Sequence, residues 1–146
     1  MDKAFIYALR SGLTMTPFFI KFVLMNKFIR GFGYALNGIW HASVTQLNFR
    51  VHLICTLIVV YAGYALHISP NEWLWIILCI ALVLAAELFN TAIEFLTDLV
   101  SPEYNKKAGL VKDMSAGAVL VTAIGALAIG LIIFVPKLLA LIHHAA

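Results

Sequence analysis

The sequence predicts an all-α integral membrane protein with three transmembrane helices and an N-terminal amphipathic surface helix. Composition is the first observation: 63% of the 146 residues are hydrophobic and 12% are charged, about half the charged fraction of soluble domains. Three apolar runs are the second, because each is close to the ~20 residues that cross a bilayer. The net charge of +3 is modest, and the basic residues lie beside these apolar runs. This position indicates anionic lipid headgroups rather than nucleic acid as their partner.

Two parts are predicted along the chain. Residues 1–24 are apolar but interrupted by charges and a proline, and no small-residue cleavage site follows, which argues against a signal peptide. We interpret them as an N-terminal extension with Met25 as an alternative start, because the pattern from there onward is self-sufficient. Residues 25–146 form the predicted membrane domain. Its predicted elements are a surface helix over 27–48 and transmembrane helices over 51–68, 73–98 and 113–135.

Short polar segments separate the predicted helices. Residues 27–48 carry apolar and polar side chains at helical spacing, which is typical of a helix in the membrane interface. A tight turn is expected at 69–72, and segment 101–103, with its proline, should end the second span. A polar loop over 103–112 should then lead to the third span, where Asp113 is placed to cap the helix.

The basic residues predict the orientation in the membrane. They precede the first span and fill the loop between spans two and three, whereas turn 69–72 has none and only Lys137 follows span three. By the positive-inside rule, the N-terminal region and the 99–112 loop are cytoplasmic and the C-terminus lies outside. The basic residues that decide this are Lys27, Arg30, Arg50, Lys106, Lys107 and Lys112.

Three polar residues near the end of the second span form the candidate site. Glu87 is the only charge between Trp73 and Phe89, and a carboxylate within a membrane span is costly enough to indicate a function. Spacings of three and seven place Glu87, Asn90 and Glu94 on one helical face. The orientation above puts this face at the cytoplasmic end, with Glu87 ~10 Å deeper than Glu94.

These side chains suit phosphoryl transfer, which needs positioning and charge neutralisation more than covalent chemistry. Glu87 could accept a proton, and Glu94, nearer water, could bind a hard cation. Asn90 could orient a neighbouring group. Lys112 could bind phosphates, and Asp113 could position that lysine or a metal-bound water. Standard nucleotide motifs do not add support, because the sequence has no Walker A motif.

Other interpretations of the same residues remain open at this point. Glu87 could make a structural hydrogen bond between helices, and Glu94 could be a simple interfacial charge. A proton or cation pathway through an oligomer would also use a buried acid. Against a pathway, the first span has no acid and the third has none within its core.

The segments Glu-Leu-Phe-Asn-Thr-Ala-Ile-Glu (87–94) and Lys-Asp-Met-Ser-Ala-Gly-Ala-Val (112–119) are specific. They resemble the prokaryotic diacylglycerol kinases and the related undecaprenol kinases, and the resemblance covers roughly residues 27–135. It implies three transmembrane helices with a surface helix, and a homotrimer whose active sites are shared between subunits. It also implies MgATP as donor, the hydroxyl of a membrane lipid as acceptor, and the cytoplasmic (inner) membrane of a bacterium as location.

The resemblance also implies roles for individual residues. Glu87 matches the general base of the family and Glu94 a metal-binding carboxylate. The residues around the nucleotide phosphates are matched by Asn90, Lys112 and Asp113. Further positions near the nucleotide are matched by Lys27, Tyr34 and Glu103.

One residue departs from the family pattern. The surface helix of the family usually carries a second metal-binding glutamate, and this chain has Gln46 at that position. An amide oxygen can bind Mg²⁺ but brings no charge, whereas Mg²⁺ favours carboxylate and phosphate oxygens. A catalytically weakened protein that binds lipid or nucleotide is therefore an alternative to an active kinase.

Two local segments bear on the lipid. His52 and the segment 116–119 are more similar to the undecaprenol-type members. We therefore favour undecaprenol over diacylglycerol as substrate. Both lipids present a primary hydroxyl at the interface, so the catalytic residues do not distinguish them.

Overall fold

A computed structural model describes residues 17–145 of this chain, with side chains described for 25–143. The predicted N-terminal extension, residues 1–24, lies outside the residues whose side chains are described. The helices are α1 (Pro17–Thr45), α2 (Leu47–Ala65), α3 (Pro70–Val100) and α4 (Lys106–Ala145), and the described residues contain no strand. Three of them, α2, α3 and α4, are long and apolar enough to cross a membrane, so the predicted fold class is confirmed.

The chain divides into two units, Met1–Trp40 and His41–Ala146. In the first unit, the described part belongs to α1. Its large apolar side chains are exposed, and the rings of Phe28 and Phe32 pack edge to face with centroids 5.1 Å apart. Such a row of exposed apolar groups is what a helix in the membrane interface presents to lipid.

The junction between α1 and α2 lies at Gln46, which takes an extended backbone conformation (φ −98°, ψ 117°). The predicted surface helix was expected to continue to residue 48, but α1 ends at Thr45 and α2 begins at Leu47. The Thr45 hydroxyl donates to the His41 carbonyl at 2.8 Å, and such bonds to the preceding turn favour a bend.

The turn between α2 and α3 lies three residues earlier in the chain than predicted. It spans residues 66–69, so the expectation of a turn over 69–72 is wrong. Ser69 is the N-cap of α3 and Pro70 its first residue, where a missing N–H costs nothing. Glu72 closes a capping box by accepting from the Ser69 N–H at 2.6 Å. The same Glu72 oxygen lies 3.1 Å from Lys137 Nζ, which ties this end of α3 to α4.

Helix α3 is central and packs against both α2 and α4. The buried apolar core of the protein lies near the α2–α3 turn. It is formed by Ile68 of the turn, Ile76 of α3 and Ile133 of α4. Gly63 permits close approach there, because a Cβ atom at this position would lie 2.8 Å from Cη2 of Trp73. The buried polar side chains lie toward the other end of α3 and are Glu87, Asn90, Thr91 and Ser115.

Helix α4 begins at Lys106, earlier than the predicted start of the third span at residue 113. Asn105 provides the cap, because its Oδ1 accepts from the N–H groups of Lys107 (2.9 Å) and Ala108 (3.4 Å). The expectations of a loop over 103–112 and of a capping role for Asp113 are therefore wrong. The apolar run marks the part of the helix inside the membrane, and the helix continues beyond it through polar residues.

Candidate active site

The most buried polar group is the Glu87 carboxylate, whose residue is 2% exposed. Its Oε2 atom has no hydrogen-bond partner among the described residues. Buried polar atoms in proteins are nearly always satisfied, so this oxygen is available to a group that is not part of the described chain.

A hydrogen-bonded chain of three side chains links α4 to α3 on the same side as Glu87. The hydroxyl of Ser115 donates to Asn90 Oδ1 at 2.6 Å, and Asn90 Nδ2 donates to Glu94 Oε1 at 2.9 Å. Asn90 is 5% exposed and Ser115 9% exposed. The bond from Asn90 occupies one of the two Glu94 oxygens. The shared face predicted from the spacing of Glu87, Asn90 and Glu94 is thus present, and Ser115 joins it.

Lys112 lies one turn before Ser115 on α4, and its ammonium group forms an ion pair with Asp98 on α3. The sequence suggested Asp113 as the residue that could position this lysine, and the structure brings Asp98 to it instead. Lys112 is partly exposed and Asp98 largely exposed. The lysine therefore lies at the rim of a polar cluster, where a phosphate could reach it. The cluster consists of Glu87, Asn90, Glu94, Asp98, Lys112 and Ser115.

A groove of ≈ 750 Å³ opens at the start of α4. Its volume is within the range of small-molecule sites, about 300–1,000 Å³. Asp113 lines it, so this predicted site residue faces a cavity rather than capping a helix. The other residues of the groove are Tyr104, Asn105, Lys106, Lys107, Gly109 and Leu110. Glu103 precedes this set and is exposed.

Gln46 lies at the α1–α2 junction and is partly buried. Its Nε2 donates to the Thr45 hydroxyl at 3.4 Å. The His41 ring packs against the ring of Phe95, the residue after Glu94, with centroids 5.6 Å apart. This ring contact joins the end of α1 to α3, and no hydrogen bond joins Gln46 to Glu94 within the described residues.

Lys27 and Tyr34 belong to the N-terminal unit. Both are exposed. Lys27 lines a groove of ≈ 520 Å³ together with Phe28, Gly31, Phe32 and Ala35. Their expected contacts with a nucleotide stay predictions.

A family model for prokaryotic diacylglycerol kinase matches residues 33–134, more than two thirds of the chain. The chain belongs to the prokaryotic diacylglycerol kinase family. The match includes Gln46 and the polar side chains from Glu87 to Ser115. The family predicted from the two sequence segments is therefore confirmed.

Individual relatives support the same family. The chain is 40% identical to an undecaprenol kinase of Bacillus subtilis over 78% of its own length and 93% of that protein. It is also 40% identical to a diacylglycerol kinase of Synechocystis, over 75% of this chain and 63% of that protein. Identity to a diacylglycerol kinase of Escherichia coli K12 is 30%, over 67% of this chain and 80% of that one.

Magnesium is the metal that the resemblance to this family implies. No group of three or more His, Cys, Asp or Glu side chains comes together among the described residues. Glu94 offers one partly buried carboxylate beside the Asn90 amide. Magnesium is often held by one or two carboxylates together with substrate phosphates. The residues therefore fit a magnesium ion that arrives with a nucleotide rather than a preformed metal centre.

Two residues of the cluster were not among the site residues predicted from sequence, namely Asp98 and Ser115. A signal for Ser115 was present, because it follows Lys112 by three residues and therefore shares its helical face. Asp98 follows Glu94 by four residues on α3, which gives the same kind of signal. Neither spacing could show the partner, since both contacts cross between helices.

Proposed function

We propose that this chain transfers the γ-phosphoryl group of MgATP to the primary hydroxyl of a membrane lipid at the cytoplasmic interface. Membership of the family makes the chain a lipid kinase, an enzyme of the membrane. The observation that carries the proposal is the buried Glu87 carboxylate, whose Oε2 has no partner among the described residues. It lies on the same face of α3 as the Asn90–Glu94 pair.

In this proposal Glu87 is the general base. It accepts the proton of the lipid hydroxyl as that oxygen attacks the γ-phosphorus. A lipid O–P bond forms, the bond between the γ-phosphorus and the bridging oxygen of ADP breaks, and lipid phosphate and ADP are the products. Seven residues separate Glu87 from Glu94, a rise of ~10 Å along the helix. This separation supports different roles for the two acids, one for the proton and one for the metal–phosphate group.

The polar residues nearer the helix ends bind and orient the nucleotide in this proposal. Glu94 would hold the metal, which when bound would supply charge neutralisation at the phosphate oxygens. Lys112 binds a phosphate oxygen and Asn90 orients Glu94. Asp113 lies in the groove at the start of α4, which gives the nucleotide room. Glu103, Lys27 and Tyr34 are proposed as additional contacts with the nucleotide, on the resemblance alone.

We favour undecaprenol over diacylglycerol as the acceptor. The undecaprenol kinase of B. subtilis and the diacylglycerol kinase of Synechocystis are equally identical to this chain. Overall identity therefore does not separate the two lipids. The local similarity at His52 and over residues 116–119 supports the polyprenol.

Assembly and location complete the proposal. We propose a homotrimer with active sites shared between subunits in the bacterial inner membrane, with the N-terminus cytoplasmic and residues 25–146 as the kinase domain. The homotrimer and its shared sites are proposed on the resemblance to the family. The basic residues at the start of α4 support the orientation.

A catalytically weakened protein that binds lipid or nucleotide is the second candidate function. Gln46 favours it, because an amide replaces the carboxylate expected there. Labelled ATP and Mg²⁺, supplied with undecaprenol or diacylglycerol to the purified protein in detergent, would decide between the candidates. We expect phosphate transfer, faster to undecaprenol. Well-folded protein that labels neither lipid would contradict the proposal and favour the second candidate.

A further inference from the structure

We infer that Ser115 is a positioning residue, which fixes the orientation of the Asn90 amide and through it the Glu94 carboxylate. This inference rests on the proposed function, because it assigns Ser115 to the same metal and nucleotide site. Ser115 does not itself touch the metal or the phosphates in this assignment. It acts through Asn90.

Ser115 forms a hydrogen bond between α4 and α3. Its hydroxyl lies 2.6 Å from Asn90 Oδ1 on the neighbouring helix and 2.8 Å from the Lys112 carbonyl oxygen on its own helix. Both Ser115 and Asn90 are buried. A serine in a helix ordinarily satisfies its hydroxyl on its own preceding turn. Because the hydroxyl has one hydrogen and both neighbours are acceptors, donation to Asn90 Oδ1, the shorter contact, takes the place of that bond.

The charge on Glu94 sets the direction of both hydrogen bonds, the one from Asn90 to Glu94 and the one from Ser115 to Asn90. An ionised carboxylate only accepts hydrogen bonds, so Asn90 must present its NH₂ group to Glu94 Oε1, as it does at 2.9 Å. The amide oxygen of Asn90 then faces Ser115, and the hydroxyl hydrogen of Ser115 must point to it. A reversed amide would place two oxygens against each other at Glu94.

Loss of the Ser115 hydroxyl would remove this directional control. The Asn90 oxygen would be buried without its donor, and the amide could rotate away from Glu94. The Glu94 carboxylate would then lose the bond that holds Oε1 and orients the second oxygen. Partners of metal-binding carboxylates usually affect metal affinity by about 10–100-fold. Because Ser115 acts one step further out than Asn90, we expect the lower end of that range.

Metal binding and turnover of five variants test the inference. Ser115→Ala removes the hydroxyl, whereas Ser115→Thr keeps a hydroxyl at this position. Thr122→Val is the matched control, because among the described residues the Thr122 hydroxyl bonds to Val119 O of the same helix, at 2.8 Å, and not to another helix. The measurements are Mn²⁺ affinity by electron paramagnetic resonance with bound nucleotide, KM for MgATP, kcat and thermal stability in detergent.

Ser115→Ala should weaken Mn²⁺ binding about tenfold and raise KM for MgATP, while Ser115→Thr and Thr122→Val stay close to the wild-type protein. In Asn90→Ala, adding Ser115→Ala should cause no further loss of Mn²⁺ affinity.

Wild-type Mn²⁺ affinity in Ser115→Ala would overturn the inference. So would an affinity loss that Ser115→Thr does not restore, or absence of Mn²⁺ binding by the wild-type protein. Binding of Mn²⁺ without lipid phosphorylation in the wild-type protein would contradict the proposed function alone, and the affinity comparison would still decide the role of Ser115.

Discussion

Lys112 on α4 is paired with Asp98 on α3, fourteen residues earlier in the chain, although Asp113 is its immediate neighbour in sequence. Adjacent residues on a helix point about 100° apart, so Asp113 is directed away from the lysine and lines the groove at the start of α4. The pair joins α3 and α4 at the rim of the polar cluster. It holds the lysine beside the position proposed for the nucleotide phosphates.

We predict that Asp98→Asn raises KM for MgATP and leaves kcat nearly unchanged. The pair is largely exposed, and exposed pairs contribute about 1 kcal/mol or less, so the change should not exceed about fivefold. Steady-state kinetics over a range of MgATP concentrations measures it. Glu72→Gln is the control, because it removes a carboxylate from the ion pair with Lys137 at the opposite end of α3. A fall in KM for MgATP in Asp98→Asn would show that Asp98 competes with the phosphates instead.

Gln46→Glu should increase the apparent affinity for Mg²⁺ and the rate at low Mg²⁺. A carboxylate is a stronger ligand than an amide for this ion, because it adds a negative charge to the donor oxygen. The measurement is the rate of lipid phosphorylation over a titration of free Mg²⁺. Asn71→Asp makes the same change of charge at the opposite end of α3 and should have no effect. An unchanged titration in Gln46→Glu would place Gln46 away from the metal.

Gly63→Ala should destabilise the protein, whereas Gly125→Ala should not. The added methyl at Gly63 would meet Trp73 at 2.8 Å and Ile68 at 3.1 Å, but at Gly125 it meets nothing within 4 Å in this chain. Overpacking typically costs about 1–3 kcal/mol, while alanine is ordinarily favoured over glycine in a helix by about 1 kcal/mol. Thermal unfolding in detergent measures the difference. Trp73→Phe should partly rescue Gly63→Ala, and equal stability of the two alanine variants would contradict close packing at Gly63.

The fold class could be predicted from sequence because a bilayer allows few solutions. A chain that crosses it must satisfy every backbone hydrogen bond internally, so long apolar runs become helices. Helix ends were less predictable. Asn105 and Asp113 are both good capping residues, and the apolar pattern favoured Asp113 because it starts there. The structure selects Asn105, since the first turns of α4 are polar and extend beyond the apolar run.

The candidate site could be predicted within one helix but not between helices. The spacing of Glu87, Asn90 and Glu94 fixes their shared face, because the helical repeat is constant. The pairing of Lys112 with Asp98 and of Ser115 with Asn90 depends on the rotation and height of α4 against α3. That geometry arises from packing along the whole interface, which short-range periodicity does not encode.

Turnover of Glu87→Gln tests the central claim, that the buried carboxylate is the base of a lipid kinase. The substitution keeps size and polarity but removes the group that accepts the proton, and loss of general base catalysis lowers rates by about 10²–10⁴-fold. Lipid phosphorylation should fall by that factor, while nucleotide affinity and thermal stability stay close to wild type, because Glu87 lies ~10 Å from Glu94 along the helix. Near-normal lipid phosphorylation by well-folded Glu87→Gln protein would contradict the account.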